Sequence, residues 1–158
     1  MTGMTETDMT ETGMTETGMT ETSDDRTPPP TVWGTFQARD AHAMIDFLVK
    51  LGFEATAVYD DPNDPDIVQH SELNWPEGGG VMCGSAKSGL TAQEPGTAGF
   101  YVVTADPKAV HDRAVAAGAE ITRELQSPPY GGLEFGLKDP EGNGWFFGSY
   151  RGEPRTSS

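Results

Sequence analysis

The chain has 158 residues, 25 of them acidic against 10 basic, and a formal net charge of −15. A surface this acidic repels phosphate backbones and anionic lipid, which argues against nucleic-acid and membrane partners, and no apolar run approaches the ~20 residues that span a bilayer. The single cysteine rules out an internal disulfide and suits a reducing, cytoplasmic setting.

Residues 1–30 repeat a five-residue unit as MTETD, MTETG, MTETG and MTETS, then run through Asp24 and Asp25 into Pro28, Pro29 and Pro30. Acidic charge with no apolar residue larger than Met predicts a disordered tail. It reads as an acidic arm or as a lead preceding a start near Met19 or later, and it lacks the basic and apolar regions of a secretory signal. Removing its seven acids and one arginine leaves eighteen acids and nine bases for the rest.

After the prolines, Thr31 to Ala38 reads as a strand and Asp40 to Gly52 as a capped helix. Asp40 can accept the free amides of a first turn, Met44, Ile45, Leu48, Val49 and Leu51 fall at helical spacing, and Gly52 closes the end. Strands follow at Phe53 to Tyr59, Ile67 to Trp75 and Gly80 to Ser85, the last two joined by a WPEGGG turn. That GGG is a hairpin turn rather than a phosphate cradle, because no helix follows it.

The pattern then repeats. Shifted by 66 positions, DAHAMIDFLVKLGFEAT (40–56) lies on DPKAVHDRAVAAGAEIT (106–122) with seven identities in seventeen positions and no gap. A period this long suits two copies of a half-domain rather than a solenoid. Strands at Thr97 to Thr104, Glu120 to Leu125, Leu133 to Lys138 and Gly144 to Tyr150 surround the second helix, so each half is βαβββ.

These paired halves, the RDAHAMIDFLVKLGFE run, HSEL at 70–73, GGVMCGS and KDPEGNGWFFGSY resemble the vicinal oxygen chelate superfamily of glyoxalase, bleomycin-resistance and extradiol dioxygenase proteins. The resemblance implies an α+β fold in which the two βαβββ modules form an incomplete eight-stranded barrel with helices on its convex face. It spans one domain at 31–151, with modules at 31–86 and 96–151, and leaves 152–158 as a disordered C-terminus. It also implies a homodimer.

In metal-using relatives a divalent ion is held by His, Gln or Glu on the first and fourth strands of each module. The matching positions are Trp33, Cys83, Phe100 and Phe146. A divalent ion needs three or four converging nitrogen, oxygen or thiolate donors, which this set does not supply. A one-residue slip, to Val32 or Gly34, Met82 or Gly84, Gly99 or Tyr101, Trp145 or Phe147, does not supply them either. No metal and no other cofactor is expected.

Strand alternation instead turns Trp33, Thr35, Gln37, Cys83, Phe100, Val102 and Phe146 towards one cleft, with Tyr130 of a Pro/Gly loop at its rim and Trp145 and Phe147 in the core. The rings are either a stacking surface for a small molecule or filling for the concavity. His70 and Glu72, two apart in VQHSELNW, point to one side and are the catalytic candidates, since the carboxylate can orient the imidazole for proton transfer. They read equally as a structural or solvated pair. His42 and His111 read as surface residues, and the LEFGLK pattern leaves the side of Glu134 open.

The expected function is metal-independent binding of an aromatic or amphipathic small molecule, as in antibiotic-sequestering members of the superfamily. The alternatives are a metal-dependent lyase, isomerase or dioxygenase and a non-catalytic regulatory module.

Overall fold

The computed structural model describes residues 27–87 and 93–156. The readings of the MTETG repeat and of the last two residues fall outside these limits. Residues 152–156 carry no regular secondary structure and are exposed.

The first module runs β1 (Trp33–Ala38), α1 (Ala41–Leu51), β2 (Glu54–Asp61), β3 (Asp64–Asn74) and β4 (Gly80–Ser85). The second runs β5 (Gly99–Val103), α2 (Pro107–Ala116), β6 (Glu120–Gln126), β7 (Glu134–Lys138) and β8 (Gly144–Gly148). Each module forms its own four-stranded sheet, ordered β1-β4-β3-β2 and β5-β8-β7-β6, so the eight strands do not close into one barrel. In both sheets the strand before the helix pairs in parallel with the last strand, and the other pairs are antiparallel.

The helix ends follow from the caps. Asp40 and Asp106 each accept a hydrogen bond at Oδ1 from the backbone N–H three residues on, both at 3.1 Å. Pro107 fills the first position of α2, where its missing N–H leaves no bond unmade. Gly52 ends α1 at φ 126°, a conformation side chains resist. The β2–β3 hairpin is longer than its hydrophobic pattern. It is carried outward past Pro62 by Asp61 and Asp64, which accept from the N–H of Asn63 and Asp66.

One core joins the modules. Phe36, Leu48, Leu51, Phe53, Leu73 and Trp75 from the first pack with Val110, Ala114, Phe135, Trp145 and Phe147 from the second. Trp75 Nε1 donates to Val103 O at 3.0 Å, and Phe36 meets Trp145 edge to face at 6.0 Å. Two turns add polar clasps across the same boundary. Glu77 accepts from the Thr104 hydroxyl at 2.7 Å and the Ala105 N–H at 2.8 Å, just ahead of α2. Glu141 accepts from the N–H groups of Arg39 at 2.6 Å and Asp40 at 2.8 Å, just ahead of α1.

The alternation corrects three side-chain directions. Cys83 is 2% exposed and pairs in register with Phe36 on the core side, so Met82 is the fourth-strand residue turned away from the helices. Phe100 and Val102 lie opposite the buried Trp145 and Phe147, which puts them on the core side as well and turns Tyr101 outward. The reason is local: GVMCGS and GFYVV carry apolar residues on both faces, so a period of two has little contrast to anchor it.

Candidate functional site

Each sheet has one face packed on the core and one face open, and the two open faces differ in chemistry. On the second sheet β5 and β8 turn Tyr101 and Phe146 outward, 42% and 37% exposed. Their rings lie over glycines. A Cβ at Gly136 would sit 2.8 Å from the Phe146 ring, and one at Gly148 would collide with the Tyr101 hydroxyl, so neither ring could take its place over a larger residue.

Beside them stands Glu134, which the structure places on this open face although it is almost fully buried. Tyr101 and Tyr130 cover it. The Tyr130 hydroxyl donates to Glu134 Oε1, and Arg123 Nη1 lies 3.4 Å from Oε2. A buried carboxylate is tolerated when it is paired in this way. The bond to the Glu134 carboxylate, with lesser help from desolvation, pushes the Tyr130 phenol up to about 12. Desolvation also raises Tyr101, partly offset by the N–H of Tyr150, and the Glu153 carboxylate raises Tyr150. Tyr130 and Tyr150 approach with ring centroids 4.8 Å apart. Together with Tyr101, Val103 and Arg151 they line a cavity of about 450 Å³.

On the first sheet the open face carries Trp33, Thr35, Gln37, Met82, His70 and Glu72. Trp33 lies across Gly80, whose absent Cβ would be 2.6 Å from the indole. His70 and Glu72 share the face, with Nε2 and Oε2 2.8 Å apart and both side chains partly exposed. Tyr59 stacks along the imidazole at 6.2 Å. A cavity of about 230 Å³ opens here, bounded among others by Thr35, Gln37, Gln69, His70 and Met82.

Other candidates lie elsewhere. Phe100 and Val102 line a cavity of about 250 Å³ at the seam between modules, with Phe53, Trp75 and Val81. Phe100 stacks on Trp145 at 4.2 Å and is part of the packing. The Cys83 thiol is pushed by burial to about 12, helped by the Glu141 and Asp139 charges, which makes it a packing group rather than a nucleophile. His42 sits 3.1 Å from Asp60 and His111 3.1 Å from Glu124, and both belong to the helices rather than to an open sheet face.

The first and fourth strands therefore present an indole, a hydroxyl, an amide and a thioether in one module and phenol and phenyl rings in the other. That donor chemistry does not fit a divalent ion. Among the described residues no group of three or more His, Cys, Asp and Glu side chains is placed to hold one. Sequence reasoning missed Tyr101 and Met82 by one position each. It also missed Gln69, whose direction depends on a β-bulge that no composition signal marks.

A profile of the Glyoxalase/Bleomycin resistance protein/Dioxygenase superfamily matches residues 32–147. No curated protein matches the chain. Among solved structures, TioX from Micromonospora sp. ML1 is 26% identical with a TM-score of 0.61, over 77% of this chain and 98% of that one. A superfamily member from Sphaerobacter thermophilus is 21% identical with a TM-score of 0.54, over 75% and 96%. A glyoxalase I variant from Zea mays is 15% identical with a TM-score of 0.60, over 77% of this chain and 45% of that one. The last two likenesses concern the fold alone. With its two βαβββ modules and the profile running through both, the chain belongs to the glyoxalase/bleomycin resistance protein/dioxygenase superfamily.

Proposed function

We propose that the protein binds a planar aromatic or amphipathic small molecule on the open face of its second sheet, without a metal ion. The observation that carries this reading is the set of outward rings, Tyr101 and Phe146 seated over glycines and Tyr130 bonded to a buried and paired Glu134. Tyr101 and Tyr130 stay partly exposed and line a cavity of about 450 Å³, which offers stacking area at little entropy cost and lies within the usual volume range for small-molecule sites. The residues turned outward on the first and fourth strands support a binder over a metal-dependent lyase, isomerase or dioxygenase.

The same reading includes a homodimer in the cytoplasm. Val58 and Tyr59 on β2 leave apolar surface that a second copy could cover. Among the described residues no helix is long and apolar enough to cross a membrane. Light scattering at micromolar concentration tests the dimer, and a monomeric mass would remove it without touching the binding site.

The test of binding is a thermal-shift screen with planar aromatic compounds, followed by titration of each hit into Tyr101→Ala and Phe146→Ala. A ligand specific for the folded state must raise its melting temperature. Hits that bind both variants as tightly as the parent would place binding elsewhere.

A further inference from the structure

On the convex side, away from both open sheet faces, the last turns of the two helices share a basic groove. Lys50 of α1 and Arg113 of α2 line a cavity of about 280 Å³ with Ala116 and Ala117. Among the described residues no acidic side chain lines it. Beyond residues 1–30 the chain holds eighteen acids against nine bases, so a groove with two bases and no acid is a local exception that draws negative charge.

The helix-end carbonyls, which would oppose an anion here, are already engaged. The N–H groups of Gly52 and Phe53 close the end of α1, and those of Ala117, Gly118 and Ala119 close the end of α2. Arg113 Nε donates to Leu51 O at 2.9 Å. Its guanidinium lies across Gly52, where a Cβ would stand 2.9 Å from Nη2 and 3.3 Å from the Trp75 indole. Among the described residues neither Lys50 nor Arg113 has a carboxylate partner.

The described part of the chain begins close to this groove. Thr27 Oγ1 donates to Pro76 O at 3.1 Å, and Thr27, Pro28 and Pro29 line a cavity together with Glu54 and Trp75. Trp75 thus borders the Thr27–Pro29 segment as well as Gly52 and the Arg113 guanidinium. Asp24 and Asp25 stand just ahead of Thr27 in the sequence. Three extended residues span about 10 Å, which is the order of the indole and chain turn to be crossed. Glu54 repels the two acids on the strand side of that path and leaves the helix side to them.

We infer that the groove between the ends of α1 and α2 seats the acidic Asp24–Asp25 stretch of the chain's own N-terminal arm, through Lys50 and Arg113. Exposed ion pairs are weak one at a time, but a short tether raises the local concentration of the acids to the millimolar range, where paired contacts fill. The seat depends on the residues next to Thr27 and not on how much of the MTETG repeat precedes them. Because α1 belongs to one module and α2 to the other, the arm braces their seam from outside.

The test is zero-length carbodiimide coupling in the full chain, which joins a carboxylate to an amine only where the two touch. At low salt Asp24 or Asp25 should link to Lys50 at least fivefold more than to the exposed Lys138, as read by mass spectrometry. The yield should fall at least threefold in about 0.5 M NaCl, which screens exposed charges. In a mixture of isotope-labelled and unlabelled chains, each linked product should come from a single chain. Trypsin gives a second reading, because Arg26 directly follows the two acids. Cleavage there is measured against Arg155, which is exposed and also precedes a threonine. The ratio should rise at least threefold in Lys50→Glu, a change at an exposed position that leaves the tail sequence intact. Equal linking of Lys50 and Lys138, or an unchanged cleavage ratio in Lys50→Glu, would overturn the inference. Links that join two different chains would overturn it as well, by giving the groove to the arm of a second copy.

Discussion

Phe100 and Phe146 test the assignment of faces, because both are phenylalanines on adjoining strands of one sheet and their environments predict opposite behaviour. Phe100 stacks on Trp145 at 4.2 Å, meets Phe36 edge to face at 5.2 Å, and lies 3.1 Å from where a Cβ at Gly34 would stand. A core Phe→Ala change typically loses about 3 to 5 kcal/mol, and partial exposure brings Phe100→Ala to about 2 to 4. Phe146 is 37% exposed and rests mainly on the bare backbone of Gly136. Its replacement by Ala opens no enclosed cavity and should lose only about 1 to 1.5 kcal/mol, mostly from area returned to water. Equilibrium urea unfolding read by tryptophan fluorescence separates the two values, provided the slopes agree. Ligand affinity should move the other way, falling by roughly 1 to 3 kcal/mol in Phe146→Ala and staying level in Phe100→Ala. If Phe146→Ala loses as much stability as Phe100→Ala, the rings on this face are packing and the site reading fails with them.

Glu141 accepts two backbone N–H bonds across the module boundary, and Glu141→Ala should lower stability by about 2 to 4 kcal/mol, since bonds to charged groups contribute about 1.5 to 3 each and one is partly replaced by water. Glu77→Ala should do likewise, and a neutral result for both in denaturant titration would show that the clasps contribute nothing. The Tyr130 phenol stands at about 12 in the folded protein, above the value of about 10 for a free tyrosine. Its contribution to stability is therefore complete below pH about 10 and is lost as pH rises towards 12. Absorbance at the phenolate band should show raised tyrosines, of which Tyr130 moves down in Glu134→Gln, and no change in that variant would refute the pairing. Purified protein should retain no stoichiometric Zn, Ni, Fe or Mn after dialysis. Near one equivalent by elemental analysis would overturn the reading and make His70, Glu72 and Glu134 the first ligands to test.

The sequence carries the architecture clearly because several signals agree. Asp40 and Asp106 cap, Gly52 terminates, and the helical stripes between them fall 66 residues apart. Trp145 and Phe147 were legible as core because the turn fixes their side: Asp139 accepts from the indole N–H of Trp145 at 2.9 Å as well as from Asn143. The open faces were harder to read. In FYVV and VMC both faces are apolar, so Phe100 and Tyr101, like Cys83 and Met82, differ only in what lies behind them. Glu134 faces outward yet is buried, because Tyr101 and Tyr130 arrive from other parts of the chain to cover it. The pairing of His70 with Glu72 follows from simple alternation. That Gln69 joins them depends on the bulge, which is a property of the β2–β3 pairing and not of either strand alone.

The two glutamate clasps have a consequence for how the chain can be divided. Each module's Pro-Glu-Gly turn holds the start of the other module's helix, and neither bond set involves the connection between β4 and β5. Fragments carrying residues 27–87 and 93–156 therefore retain complementary ends and should reassemble when expressed separately. A permuted chain that starts in the second half and finishes in the first should fold for the same reason. A half-length chain bearing both the capping Asp and the turn Glu would form the identical bonds with a second copy of itself, as a true twofold requires. In the joined gene each half keeps those bonds while its open face is free to change on its own, so an aromatic surface and a histidine-bearing one can occur in one molecule.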